Sequence, residues 1–299
     1  MASAAQWMSA ARPRTLPAAI APVLVGSGVG ASLLAADGDP WTAGSWVKAA
    51  LAMIVALALQ IGVNYSNDYS DGIRGTDGEH RVGPFRLVGS KAAPPRSVKL
   101  AAFTCFGVAA AAGLVLAIFT AWWLIPAGVA CIAAAWFYTG GKHPYGYAGL
   151  GELFVFVFFG LIAVLGTTFV LAERISAVAV SLSIGTGLIA CAILVVNNLR
   201  DIDTDHHTGK RTLAVLLGDR RTRHLYAVML SIALVAVAIA GLWQPWCLIA
   251  LAAAIPAAKP VRTVLRGTKT LALIPVLGAT GMTEVVYAAL LLTGLLIGR

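Results

Sequence analysis

Nine apolar stretches follow one another along the chain, and that feature decides what it can fold into. A helix needs about 20 predominantly apolar residues to cross the hydrocarbon core of a bilayer. The segments Leu16–Ala35, Trp46–Asn67, Ser97–Phe119, Ala121–Tyr138, Ala148–Leu171, Ser176–Asn198, His224–Leu242, Gln244–Lys259 and Leu277–Ile297 come close to or exceed that length. The eighth is short and carries Pro256. The runs are continuous, whereas outer-membrane barrel strands alternate apolar and polar residues over about 10 positions. Only 12% of the residues are charged and 59% are hydrophobic. A water-soluble domain needs about a quarter of its residues charged. The expectation is an all-α, multi-span membrane bundle of nine transmembrane helices, with residues 1–299 as a single integral membrane domain.

A formal net charge of +9 invites a nucleic-acid reading, but the placement of the charge rejects it. Lysines and arginines fall in short clusters between apolar runs, the pattern that sets membrane topology. Nine spans put Arg12, Arg14, Arg74, Arg81, Arg86, Lys91, Arg96, Lys99, Lys142, Arg200, Lys210, Arg211, Arg220, Arg221, Arg223, Lys259, Arg262, Arg266 and Lys269 on one face. Lys48, Arg174 and Arg299 are left on the other, so 19 of 22 basic residues share a side. The positive-inside rule makes that side cytoplasmic. The expected location is the inner (plasma) membrane, multi-pass, with the N-terminus inside and the C-terminus outside. Arg12 and Arg14 before an apolar run resemble a signal peptide, but the run is long and more spans follow, so it reads as a retained first helix. Cys105, Cys131, Cys191 and Cys247 each lie inside an apolar run without a CxxC and read as small buried hydrophobes.

Two cytoplasmic loops are long, 68–96 and 199–223. They hold Asp68, Asp71, Asp77, Glu79, Asp201, Asp203, Asp205 and Asp219, eight of thirteen acidic residues. Val63-Asn64-x-x-x-Asp68 ends the second span and Val196-Asn197-x-x-x-Asp201 the sixth, a weak repeat that suggests two four-helix halves plus a ninth helix. On a helix, Asn64, Asp68 and Asp71 share a face, as do Asn197, Asp201 and Asp205, while Asp203 points away. Carboxylates at helix C-termini oppose the macrodipole and repel one another, so something cationic must compensate. Hard oxygen ligands without His or Cys suit Mg²⁺, which takes one or two carboxylates and completes its shell with water and substrate phosphate. Two such sites facing each other would clamp a diphosphate.

Lys142, Arg74 and Lys210 flank these acids and could neutralise charge developing on a diphosphate leaving group. Arg220, Arg221, Arg223 and the basic group at 259–269 read instead as topology signals. His80, His143, His206, His207 and His224 show no metal-ligand spacing and read as loop histidines. Glu284, inside the ninth span, is a costly intramembrane carboxylate to which the pattern assigns no catalytic role.

These residues resemble the UbiA superfamily of intramembrane aromatic prenyltransferases over nearly the whole chain. The likeness rests on the two aspartate motifs, the nine helices and Tyr138-x-x-x-Lys142 after the fourth. It is carried further by Arg12-Pro-Arg-Thr-Leu-Pro17, Asn67-Asp-Tyr-Ser-Asp71-Gly-Ile-Arg-Gly-Thr-Asp77, Asn197-Asn-Leu-Arg-Asp201-Ile-Asp-Thr-Asp205 and Gly209-Lys-Arg-Thr-Leu213. The broader superfamily has NDxxDxxxD; here Gly75 stands four after Asp71, and Asp77 becomes the candidate third acid. That spacing is similar to the branch whose acceptor is 1,4-dihydroxy-2-naphthoate, in menaquinone biosynthesis. The resemblance implies polyprenyl diphosphate as donor, laid along the bundle with access from membrane lipid. It implies two Mg²⁺ held by Asp68, Asp71, Asp77, Asp201 and Asp205, with Asn64, Asn197, Lys142, Lys210 and Arg74 binding the diphosphate. Tyr138, Lys142 and Arg74 carry over as catalytic. Another aromatic acceptor (4-hydroxybenzoate or homogentisate), a phosphoribosyl transferase and a cation transporter are the rival readings; a transporter predicts acids near mid-span, whereas these lie at the rim.

Overall fold

The computed structural model describes residues 2–75 and 85–299. Among them there are only helices and connections. Eight helices are long and apolar enough to cross a membrane: α1 (Pro17–Ala36), α2 (Ala43–Arg74), α3 (Pro95–Phe119), α5 (Gly151–Ala172), α6 (Ala177–Arg200), α7 (Asp219–Ala240), α8 (Pro245–Leu265) and α9 (Thr270–Ile297). Between α3 and α5 lies the shorter apolar α4, Leu124–Phe137. Its 14 residues make about 21 Å of helix, so the expected span Ala121–Tyr138 is a helix of this length extended at each end by turns. The eighth segment instead runs further than expected, because its α-helical part, Ala254–Leu265, continues past Lys259; the nine residues before it, Pro245–Ala253, wind as 3-10 helix.

The departure that matters for chemistry is α2. Its 32 residues make about 48 Å, well beyond the roughly 30 Å apolar slab, so its last turns project past the hydrocarbon. The first aspartate motif therefore sits on the helix, not in a loop. At the other end Thr42 and Ser45 form a capping box, each side chain accepting the other's backbone N–H. The helix stops at Gly75, whose φ of +72° closes the last turn in the left-handed region. Glycine at this position is thus what ends the helix.

α6 is the most enclosed span. It packs on α5, α7, α9 and α1, and close approach depends on small residues: a Cβ on Gly187 would lie 2.8 Å from Gly160 Cα of α5. Gly160 belongs to a π-helical stretch, Phe156–Ile162, that widens α5 beside this contact. Large apolar side chains such as Trp122, Leu242 and Ile255 face outward, as they do where the solvent is lipid. Trp46, Trp122, Trp243 and Trp246 all sit exposed at the helix ends opposite the aspartates, forming an interfacial aromatic belt. The same end holds the ion pairs Arg174–Asp37 (2.8 Å) and Lys48–Glu173 (3.7 Å). The chain is an integral membrane protein.

Candidate active site

A cavity of about 690 Å³ runs inside the bundle. Its walls come from α1 to α6, and its two ends differ in character. From Ala52, Val55 and Leu59 of α2, Leu116, Leu124 and Val170, the inner length is apolar. The other end is ringed by Arg12, Asn64, Asn67, Asp71, Arg86, Tyr147, Asn197, Asp201, Asp205 and Lys210. Along α2 from Ala52 to Asp71 the two ends are about 28 Å apart.

Asp71 is the centre of the polar end. It is 3% exposed, and its carboxylate takes Arg86 Nη2 at 2.9 Å, Lys210 Nζ at 3.4 Å and the Tyr147 hydroxyl. These partners come from three separate segments, so Asp71 ties α2 to the connections after α4 and α6. Arg211 N–H to Tyr147 O, 3.0 Å, joins the latter two directly, and Lys210 lies 4.6 Å from the centre of the Tyr147 ring. One turn before Asp71, Asn67 accepts a 2.7 Å hydrogen bond from Thr139 Oγ1.

The second motif straddles a break. α6 ends at Arg200, Asp201 leaves the helical region, and a short helix, Ile202–His207, follows. Backbone bonds Asp201 N–H to Asn197 O (3.3 Å) and Asp205 N–H to Asp201 O (2.8 Å) bridge the break. Asn197, Asp201 and Asp205 all line the cavity, whereas Asp203 is exposed and does not. Asp201 is gripped by both arms of the buried Arg200 guanidinium.

Several residues singled out from the sequence lie elsewhere. Asp68 is wholly buried and outside the cavity lining, where it accepts backbone N–H bonds from Leu87 (2.7 Å) and Val88 (3.0 Å). It anchors the 85–94 loop, and that loop carries Arg86. The cavity pair on α2 is thus Asn67-x-x-x-Asp71, three residues on from the expected Asn64-x-x-x-Asp68. Asn64 does line the cavity, but its Nδ2 is committed to Ala11 O (2.8 Å) and Thr15 Oγ1 (3.1 Å). Arg74 lies outside the lining: it donates to Thr139 O and Gly141 O and covers the Tyr147 ring, bracing the turn after α4. Lys142 is exposed on that turn and also outside the lining. Tyr138 does line the cavity, as do Asn197 and Lys210. Asp77 lies outside the described residues. Glu284 is fully buried away from the cavity, with no hydrogen-bond partner among the described residues for either oxygen.

Arg12, Asn67, Arg86 and Tyr147 are among the cavity residues that reading the sequence did not select as site residues. Arg12 is aimed by its backbone. At φ +54° it turns left-handed between the short helix Ala4–Ala10 and the turn Pro13–Thr15, a strained conformation of the kind that clusters at functional sites. Thr15 holds that turn, donating to Arg12 O and accepting from Gln60 and Asn64 of α2. An aromatic wall follows the polar end: Tyr145 stacks on Phe154 at 3.9 Å, with Tyr138 edge-on at 5.5 Å. Burial pushes the Tyr145 phenol well above its ordinary value, so it stays a donor, to Ala134 O at 2.8 Å.

The model of the UbiA prenyltransferase family matches residues 19–270. The chain belongs to that family. It is 54% identical to the 1,4-dihydroxy-2-naphthoate octaprenyltransferase of Mycobacterium tuberculosis, over 100% of this chain and 99% of the relative. It is 34% identical to the enzyme of the same name from Escherichia coli, over 92% and 89%. A UbiA homolog from Archaeoglobus fulgidus, solved with DMAPP and Mg²⁺, superposes with a TM-score of 0.69 at 13% identity, covering 98% of this chain and 99% of that one. A cavity open to a rim of Asp, Asn, Arg and Lys at one end and apolar at the other is what a UbiA prenyltransferase needs for a substrate with a charged head and a hydrocarbon tail.

Proposed function

We propose that this chain transfers a polyprenyl group from polyprenyl diphosphate to 1,4-dihydroxy-2-naphthoate, with loss of CO₂, giving the quinol form, demethylmenaquinol. The observation that carries the reading is the two-ended cavity in a chain alike over its full length to naphthoate octaprenyltransferases. The tail would occupy the apolar length, and the diphosphate the rim between Asn67–Asp71 and Asn197–Asp201–Asp205.

The donor set fits Mg²⁺: every side chain offered at the rim by these two motifs is a hard oxygen ligand. Among the described residues no three His, Cys, Asp or Glu side chains group closely enough to hold an ion unaided. That suits an ion that takes a minority of its ligands from protein and the rest from phosphate and water. When bound, Mg²⁺ supplies Lewis-acid stabilisation of the diphosphate leaving group. Arg86 and Lys210, now paired with Asp71, stand where they can turn to the diphosphate oxygens and neutralise charge as the allylic C–O bond breaks. The electron pair of that bond leaves with the diphosphate. The ring carbon bearing the carboxylate attacks the allylic cation, and expulsion of CO₂ returns its bonding pair to the ring, so no base is required. The tyrosine and phenylalanine wall keeps water from the cation. The excess of basic residues around the rim supports a cytoplasmic position for it, where a charged aromatic acid would reach it without crossing lipid.

The test is purified protein in lipid nanodiscs with labelled polyprenyl diphosphate and a panel of aromatic acids. Prenylated product should form with 1,4-dihydroxy-2-naphthoate, release label from a ¹⁴C-carboxyl group, and require Mg²⁺. Product with 4-hydroxybenzoate or homogentisate and none with the naphthoate would overturn the assignment.

A further inference from the structure

Glu152 opens α5 and is 5% exposed, outside the cavity lining. Its Oε1 accepts a 2.9 Å hydrogen bond from Asn198 Nδ2, and its Oε2 has no hydrogen-bond partner among the described residues. Burying a carboxylate with one of its oxygens unpartnered is a poor stability device. Its effect lies in what it does to Asn198. Asn198 is itself buried but lines the cavity. An amide whose N–H₂ is committed to a carboxylate presents its carbonyl oxygen on the other side. Asn198 thus offers an acceptor, with its orientation locked, inside a largely apolar cavity.

Its position makes that acceptor specific. Asn198 stands three residues before Asp201, about 4.5 Å of helix rise below the charged rim. The neighbouring α5 residue, Gly151, packs between Leu194 of α6 and the Tyr138 hydroxyl, a Cβ there lying 3.3 and 3.5 Å from them. Asn198 therefore adjoins the Tyr138–Tyr145–Phe154 wall, a surface for a flat ring next to the diphosphate. In 1,4-dihydroxy-2-naphthoate the 1-hydroxyl lies ortho to the carboxylate and donates to it internally. The 4-hydroxyl is the donor left for the protein.

We infer that Asn198 Oδ1 accepts the 4-hydroxyl of the aromatic acceptor and that Glu152 is the positioning residue that fixes the Asn198 amide for it. This rests on the proposed function and deepens it: the pair selects acceptors with a hydroxyl para to the one beside the carboxylate, and leaves the prenyl donor alone.

The probe is 1-hydroxy-2-naphthoate, which lacks only the 4-hydroxyl, used as a competitive inhibitor. For the wild-type protein the dihydroxy acid should bind roughly tenfold more tightly, the size of one ligand hydrogen bond. In Asn198→Leu that advantage should fall to within about twofold, with KM for polyprenyl diphosphate unchanged. Glu152→Leu should lose it likewise, whereas Glu152→Gln, which keeps the Oε1 acceptor, should retain it. A structural role would raise both KM values together and would ignore the ligand change. Equal binding of the two acids by the wild-type protein overturns the inference without any variant. So does an advantage that survives Asn198→Leu, or a donor KM that rises in step. Absence of any prenylated naphthoate from the wild-type protein would instead count against the proposed function.

Discussion

Asp68→Asn separates an anchoring carboxylate from a metal-facing one. Asp68 is fully buried and receives two backbone N–H groups, from Leu87 at 2.7 Å and Val88 at 3.0 Å. Hydrogen bonds to a charged group contribute about 1.5–3 kcal/mol each. An asparagine keeps one acceptor and turns its NH₂ against the second N–H, leaving two buried donors facing each other. The expected loss is about 2–4 kcal/mol, concentrated on the attachment of the 85–94 loop. Because Arg86 rides on that loop, turnover should fall as temperature rises and recover on cooling. The Mg²⁺ concentration for half-maximal activity should stay within about twofold of wild type, since both carboxylate oxygens are committed to backbone N–H groups outside the cavity lining. The assays are a melting curve in detergent and a Mg²⁺ titration of prenyl transfer at two temperatures. An unchanged melting temperature together with a tenfold weaker Mg²⁺ response would refute the reasoning and return Asp68 to the metal site.

Four further outcomes follow from the same geometry. Asp201→Asn should lower turnover by roughly a hundredfold or more, in the range seen for groups that stabilise transition-state charge, while exposed Asp203→Asn stays within about threefold; equal sensitivity in steady-state assays would show that the two residues face the same way. Lys210→Met should cost turnover on a similar scale because it removes a cation from Asp71, and Lys142→Ala, exposed on the turn, should be close to neutral; the reverse ranking of kcat would move the diphosphate toward the Tyr138–Lys142 turn. Exhaustive chelation should abolish prenyl transfer and added Mg²⁺ should restore it, as followed by radiolabel incorporation. In a background without the four native cysteines, Thr208→Cys should react with an impermeant maleimide from the cytoplasm and Asp39→Cys from outside, both positions being exposed; labelling of both from one side would invalidate the span count.

Much of the fold was legible because lipid imposes a coarse rule. Every span must be a long apolar helix, so length and hydropathy find it, and the basic residues then place both aspartate motifs at one end. The errors came from information that hydropathy does not carry. A helix that leaves the bilayer does not stop being a helix, and α2 continues seven residues past Asn67 until Gly75 closes it. α4 is 14 residues because turns at both ends take up apolar residues that the pattern counts as span.

The candidate site was legible by residue type but not by angle. Asn64, Asn67, Asp68 and Asp71 all crowd within about 100° of the α2 surface at 100° per residue. Periodicity therefore cannot choose between the pairs Asn64–Asp68 and Asn67–Asp71. What chooses is the 85–94 loop, whose buried N–H groups claim Asp68 from a distance of some twenty residues in sequence. A polar group inside a bundle is committed by whichever backbone donor has no water to turn to. The same rule explains why Arg74 and Lys142, basic and close to the motifs in sequence, lie outside the cavity. Arg74 is consumed by the carbonyls of the turn after α4, and Lys142 stands on the solvent side of that turn. Arg12 shows the converse: nothing in its own spacing points to a site, yet a left-handed residue ahead of Pro13 turns its side chain into the cavity. Satisfying buried backbone groups thus decides which of several chemically equivalent residues the cavity receives.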